Sequence, residues 1–310
     1  MVRIFTAFYF ISLSVFSIEH SINFMWLNLI KNNDQFIFPD VREKAEGWKI
    51  NVFEDWLKPW IASNKNSNFV FWYDDNTISS KQLQNTKEEF ERLKKSVGSN
   101  AFIEFKKIND LDIVKQNQDF FSKLPIYPKA DMLRVAAGLA YLKDCTKECA
   151  YIYVDFDKGL KLTDQGLTPL DLKVETFLNP NNQTLLKEKG IILNNGDENN
   201  FFILGNNRET MQKLQKEVID ENIVELTKWY KELDPILSKI KSDSLRKLPL
   251  SNLWPKHEDF NNEEPEILKQ LEGKLNEIHD IVFFSMFFQP FPGIDMGGSP
   301  MESHITQWKK

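Results

Sequence analysis

The chain has 310 residues, of which 42% are hydrophobic and 13% aromatic, enough to bury a sizeable core as one large domain or a domain with an insertion. A formal charge of −6, with no segment of clustered Lys and Arg, argues against nucleic acid as the main partner, because phosphate binding needs concentrated cations. Two cysteines, Cys145 and Cys149, are too few for a disulfide framework or a four-Cys zinc site; they either bridge locally or flank a turn unpaired.

Residues 1–17 (MVRIFTAFYFISLSVFS) carry one cation, then an apolar run with Val15 and Ser17 placed as at a signal-peptidase site. One reading is a signal peptide, hence an exported protein; the other is a buried first strand. No other stretch reaches about 18 uninterrupted apolar residues, so no stable membrane span is expected.

Ile22 to Leu27 (INFMWL) and Asn68 to Trp72 (NFVFW) are short runs of strand-favouring residues, the second ended by the turn-forming Tyr73-Asp74-Asp75-Asn76. Between them, Lys44 to Ala62 has apolar residues at helical spacing: Trp48, Val52, Trp56 and Ile61. Ser80 to Val97 predicts a charged helix, and Ala101 to Ile108 a strand. Ala130 to Lys143 (ADMLRVAAGLAYLK), introduced by Pro128, predicts a helix leading to a strand over Ala150 to Val154. After a turn-rich region, Gly190 to Leu204 predicts a hairpin joined through Asn194-Asn195-Gly196-Asp197. Glu209 to Ile240 and Pro265 to Asp280 predict long amphipathic helices. Alternating strands and helices give an α/β fold: a mixed sheet flanked by helices, with an α-helical insertion.

Asp155-Phe156-Asp157 ends the strand over Ala150 to Val154. Side chains at i and i+2 of a strand share a face, so Asp155 and Asp157 aim at one point, where two carboxylates can hold a hard divalent cation. Ligands of open α/β sheets collect beyond such strand ends. Asp131 and Arg134, three residues apart on the preceding helix, share a face. They form either a plain intrahelical ion pair or a sugar-binding pair, the guanidinium donating to hydroxyls and the carboxylate accepting from them.

Ala130-Asp131-Met132-Leu133-Arg134, followed by Tyr153-Val154-Asp155-Phe156-Asp157, resembles the DXD-containing sugar-binding region of Och1-type mannosyltransferases, large clostridial toxin glucosyltransferases and Legionella glucosyltransferase effectors. Asn23-Phe24-Met25-Trp26 is similar to the first strand of those enzymes, with Asn23 where they usually have His, and Phe71-Trp72-Tyr73-Asp74 is similar to their second. Where they have Gly-Gly-x-Tyr before the DXD, this chain has the longer 145–151 loop.

The resemblance implies a GT-A (Rossmann-like) core using a UDP-sugar with Mn²⁺ or Mg²⁺. It implies Trp26 stacking on the uracil, with Met25 beside it, and Asp131 and Arg134 holding the donor sugar. Tyr153 would line the sugar pocket, Asp155 would contact the ribose and a metal-bound water, and Asp157 would ligate the metal. Asn200 of the Asn199-Asn200 pair stands where the family often has an Asn near the sugar. Thr306-Gln307-Trp308 is similar to the toxins' Ser-x-Trp, giving a hydroxyl to the metal and an indole N–H to the β-phosphate, with His304 as a further donor. The set expected to carry catalysis is therefore Asp155, Asp157, Arg134 and Trp308.

The expected organisation is a possible signal peptide over 1–17, a nucleotide-sugar core over 18–208, a helical acceptor-binding insertion over 209–280, and a C-terminal strand and lid over 281–310. The implied reaction is retaining transfer of a hexose or N-acetylhexosamine to a protein hydroxyl, as by an exported effector acting in a host cell. Transfer to a surface glycan, as by Och1-like enzymes, is a second reading, and a non-catalytic metal- or sugar-binding module a third.

Overall fold

The computed structural model describes residues 18–27, 35–43, 49–124, 126–155, 160–163, 166–169, 172–194, 201–241, 264–281 and 293–294. In chain order, β1 (Glu19–Trp26) is followed by a small ribbon, β2 (Val41–Glu43) with β3 (Lys49–Asn51). A π-helical turn, Val52–Leu57, then runs into α1 (Lys58–Ser63). Next come β4 (Asn68–Tyr73), α2 (Ser80–Val97), β5 (Phe102–Lys107), the short α3 (Asp112–Gln116) and α4 (Gln118–Lys123), α5 (Ile126–Lys143) and β6 (Cys149–Val154). A second ribbon, β7 (Leu160–Thr163) with β8 (Gly166–Pro169), precedes α6 (Val174–Phe177), α7 (Pro180–Lys189), β9 (Ile191–Asn194) and β10 (Phe201–Gly205). The remainder comprises α8 (Arg208–Lys213), which continues through a π-helical stretch over Leu214–Asp220 into α9 (Glu221–Leu237), then α10 (Pro265–Ile281) and β11 (Gly293–Ile294).

The main sheet has the order β11-β9-β10-β6-β1-β4-β5. β5, β4, β1 and β6 are mutually parallel, while β10 runs antiparallel to β6 and to β9. The chain therefore winds outward from β1 through β4 to β5, then returns to place β6 on the other side of β1. That is the Rossmann-like order, and it opens a crevice where the winding reverses, at the carboxyl ends of β1 and β6.

Strand alternation divides the core into two layers. Phe24, Phe69, Phe71, Ile152 and Ile203 face α1, α2, α6 and α7. Met25, Trp72, Tyr151, Tyr153 and Leu204 face the other way, against α5, α9 and α10 through Met132, Leu133, Leu226, Trp229 and Leu271. Burial on both faces explains why these strands read as unbroken apolar runs. The expected α/β class, a mixed sheet with helices on both sides, is what the chain adopts. Among the described residues no helix is long and apolar enough to cross a membrane.

Three departures from expectation have a clear physical cause. The helix expected over Lys44 to Ala62 starts at Val52, because Lys49–Asn51 pairs with β2 and the Asn51 side chain accepts the Glu54 N–H as N-cap. α5 begins at Ile126, so Pro128 lies inside its first turn, where its missing N–H costs no helical hydrogen bond. The turn-rich region contains α7, capped by Asn179 with Pro180 at its first position and closed by Gly190 at φ 71°.

Candidate active site

α5 lies over the sheet with small residues underneath. A Cβ placed on Gly138 would fall 2.8 Å from Leu204 Cδ1 and 2.9 Å from Tyr151 Cδ1, so the helix sits as close as glycine permits. This approach brings the α5 side chains down to the end of β6.

Arg134 Nη1 is 3.1 Å from Asp131 Oδ1, the i,i+3 pair expected from the sequence. The same guanidinium also reaches out of the helix, with Nη2 3.2 Å from Asp155 Oδ1. It lies over the Tyr153 ring, 5.0 Å from the centroid, and the Tyr153 hydroxyl donates to Asp155 Oδ1 at 2.5 Å. The plain intrahelical pair is therefore ruled out as a full account of Arg134. Its side chain is 11% exposed, those of Asp131 and Asp155 19% and 16%, so the cluster is mostly desolvated yet keeps some contact with solvent. Such pairs persist when their hydrogen bonds are made, and the planar fork of Arg suits two carboxylates at once.

Tyr153 is fully buried, and it meets the cluster through its hydroxyl. Burial pushes its pKa well above the ordinary phenol value; the Arg134 cation opposes this and the Asp155 carboxylate adds to it. The hydroxyl therefore keeps its proton and remains a donor to Asp155.

Asn23 aligns with Tyr153 across β1 and β6, so Met25, two residues on, shares the face and level of Asp155. Trp26 ends the same strand on the opposite face, half-buried, with its ring edge-on to Phe38 at 5.9 Å. Asn23 is buried: its amide donates to Ser21 Oγ at 2.8 Å and accepts from the Trp72 indole at 3.1 Å. It locks β1 to β4 beneath the site.

The structure thus brings Asp131, Arg134, Tyr153 and Asp155 into one cluster, with Met25 level with it and Trp26 at the same sheet edge. Asp157, Asn199, Asn200, His304, Thr306 and Trp308 lie outside the described residues. Among those described, no three His, Cys, Asp or Glu side chains converge as a metal site. Asp155 has the hard oxygen chemistry a Mg²⁺ or Mn²⁺ ion takes, and it is the one member of the expected ligand set within the described residues.

Sequence reasoning overlooked a second ion pair at this edge. Lys129 Nζ is 3.0 Å from Asp74 Oδ2, joining α5 to the end of β4. Asp74 follows an apolar strand as Asp155 does, and that repeated pattern was the available signal. Behind the site, Cys145 and Cys149 are bonded to each other, closing the connection between α5 and β6.

No family model matches this chain, and no curated protein matches it. Among solved structures it is similar to PaToxG glycosyltransferase, with 12% identity and a TM-score of 0.35 over 85% of this chain and 75% of that one. It is also similar to mouse xyloside xylosyltransferase 1 in its apo form, with 12% identity and a TM-score of 0.36 over 90% of this chain and 85% of that one.

Proposed function

We infer that the protein is a metal-dependent retaining glycosyltransferase that moves a hexose or N-acetylhexosamine from a UDP-sugar to a hydroxyl, with a protein as acceptor. The observation carrying this reading is the Arg134 guanidinium bridging Asp131 and Asp155 at the crevice where the sheet winding reverses.

In this reading Asp131 accepts hydrogen bonds from donor-sugar hydroxyls, while Arg134 donates to the donor and offsets the charge of the departing diphosphate. Tyr153 holds Asp155 in place by donating to it. Trp26 offers its ring to the uracil and Met25 lines the crevice floor. Asp155, with Asp157 and Thr306, would hold a Mn²⁺ or Mg²⁺ ion, which when bound supplies Lewis-acid neutralisation of the diphosphate. Asn200, His304 and Trp308 complete the proposed donor site, Trp308 through its indole N–H. No side chain is assigned as nucleophile.

Export from the producing cell and action in a host cell belong to the same proposal. The Cys145–Cys149 bridge supports export, because disulfides persist in oxidising compartments.

The test is UDP release from a panel of UDP-sugars, with Mn²⁺ and then with a chelator. Release from one donor that stops on chelation is the expected result. Tight donor binding with no release under any metal would instead indicate a non-catalytic sugar-binding module.

A further inference from the structure

We propose that the Asp74–Lys129 ion pair is a positioning element of this site, holding the first turns of α5 so that Asp131 and Arg134 are presented to the donor. Its kinetic consequence rests on the glycosyltransferase reading; its structural consequence does not.

Asp74 is itself fixed. Its Oδ1 accepts the Asn76 N–H at 3.0 Å, and its backbone carbonyl accepts the Thr77 hydroxyl at 3.1 Å and the Thr77 N–H at 3.2 Å. Its Oδ2 holds Lys129, whose side chain is 16% exposed against 6% for Asp74. Exposed ion pairs contribute little, but this one is largely removed from water and spans 55 residues of chain.

Lys129 lies two residues before Asp131 and five before Arg134. It ties α5 to β4, whereas Arg134 ties α5 to β6, and β1 runs between those strands. The two ties are therefore two strand spacings apart, roughly 10 Å. Met132, Leu133 and Gly138 seat the body of α5 on the sheet; the two ties, one on each side of β1, keep its first turns from rolling on that seat, and Asp131 sits between the ties in sequence. Site geometry is sensitive at this scale, since a displacement of about 1 Å can cost on the order of 100-fold in rate.

Removing one partner strands a buried charge, so single deletions confuse folding with positioning, whereas neutralising both partners is tolerated far better. The test compares the doubly neutral variant, Asp74→Asn with Lys129→Met, with Lys129→Arg, which keeps the pair. The readings are hydrogen exchange over residues 126–134 and kcat/KM for UDP-sugar hydrolysis with Mn²⁺, per folded molecule by near-ultraviolet circular dichroism. In the double variant, exchange over 126–134 accelerates while that of α2 is unchanged, and kcat/KM falls about 10- to 100-fold. Lys129→Arg stays close to wild type in both. Asp74→Asn with Lys129→Gln, which keeps a neutral donor facing a neutral acceptor, is the milder substitute should the first double variant not fold, with the same changes at smaller size.

Unchanged exchange over 126–134, or accelerated exchange with wild-type kcat/KM, overturns the proposal. If the wild-type protein itself hydrolyses no UDP-sugar, the functional reading fails instead, and the exchange rates alone decide whether the pair fixes the helix.

Discussion

Arg134 Nη2 lies 3.2 Å from Asp155 Oδ1, so a cation from the middle of α5 is shared with the acid that ends β6. Because Asp131 holds the other end of the same guanidinium, deleting Arg134 would remove the cation that two mostly buried carboxylates share. Arg134→Met is expected to cost about 3 kcal/mol, near the low end for a buried pair because all three side chains keep some contact with solvent. Arg134→Lys should cost less than half as much. Urea denaturation of the two variants measures the difference, and equal costs would mean that the fork contributes nothing.

Tyr151 and Tyr153 make stability depend on alkaline pH. Burial raises both pKa values, opposed for each by Arg134, so the folded protein keeps protons that the unfolded chain loses near pH 10. Their stabilising contribution is complete below pH 10 and is lost as pH rises towards the folded values. Each should contribute a slope of about −1.4 kcal/mol per pH unit there. Comparing Tyr151→Phe with wild type between pH 9 and 11.5 isolates one tyrosine; parallel curves would contradict this.

Gly138 is where α5 meets the sheet. Gly138→Ala forces its Cβ against Leu204 and Tyr151 and should cost about 1 to 3 kcal/mol by overpacking, despite alanine's better helix propensity. Gly138→Val should cost more and also weaken donor binding, because lifting α5 separates Arg134 from Asp155. A stabilised Gly138→Ala in a thermal melt would show the helix has room to spare.

The Cys145–Cys149 bridge closes a loop of a few residues, so the chain-entropy account assigns it about 2 kcal/mol. Thiol titration should find no reactive cysteine before reduction and two afterwards. The urea midpoint should fall on reduction.

Much of the fold was legible because its strands are buried on both faces and its longest helices are strongly patterned. α2 matched residue for residue, since Ser79 and Gln82 form a reciprocal capping box and Gly98 closes the helix at φ 60°. The stretch before Val52 misled because Trp48 and Val52 lie at helical spacing, although Lys49–Asn51 finds a strand partner in β2. α7 was hidden by Asn179-Pro180-Asn181-Asn182, which has turn composition but acts as cap and first turn.

At the site, the clustering of Asp131, Arg134 and Asp155 was readable from spacing and strand-end position. The contact of Arg134 with Asp155 was not, because it depends on how closely α5 approaches β6. Lys129 with Asp74 escaped for a related reason: their meeting follows from the strand order, which sequence spacing does not encode.

Metal-dependent glycosyl transfer at Asp155 is decided by the rate of UDP release from the best donor by Mn²⁺-loaded wild type and by Asp155→Asn, at a temperature where both are folded. A loss of about 100- to 1,000-fold is expected, the size seen when one preorganised charge-stabilising group is removed. Equal rates, or no UDP release by wild type from any UDP-sugar, would contradict it.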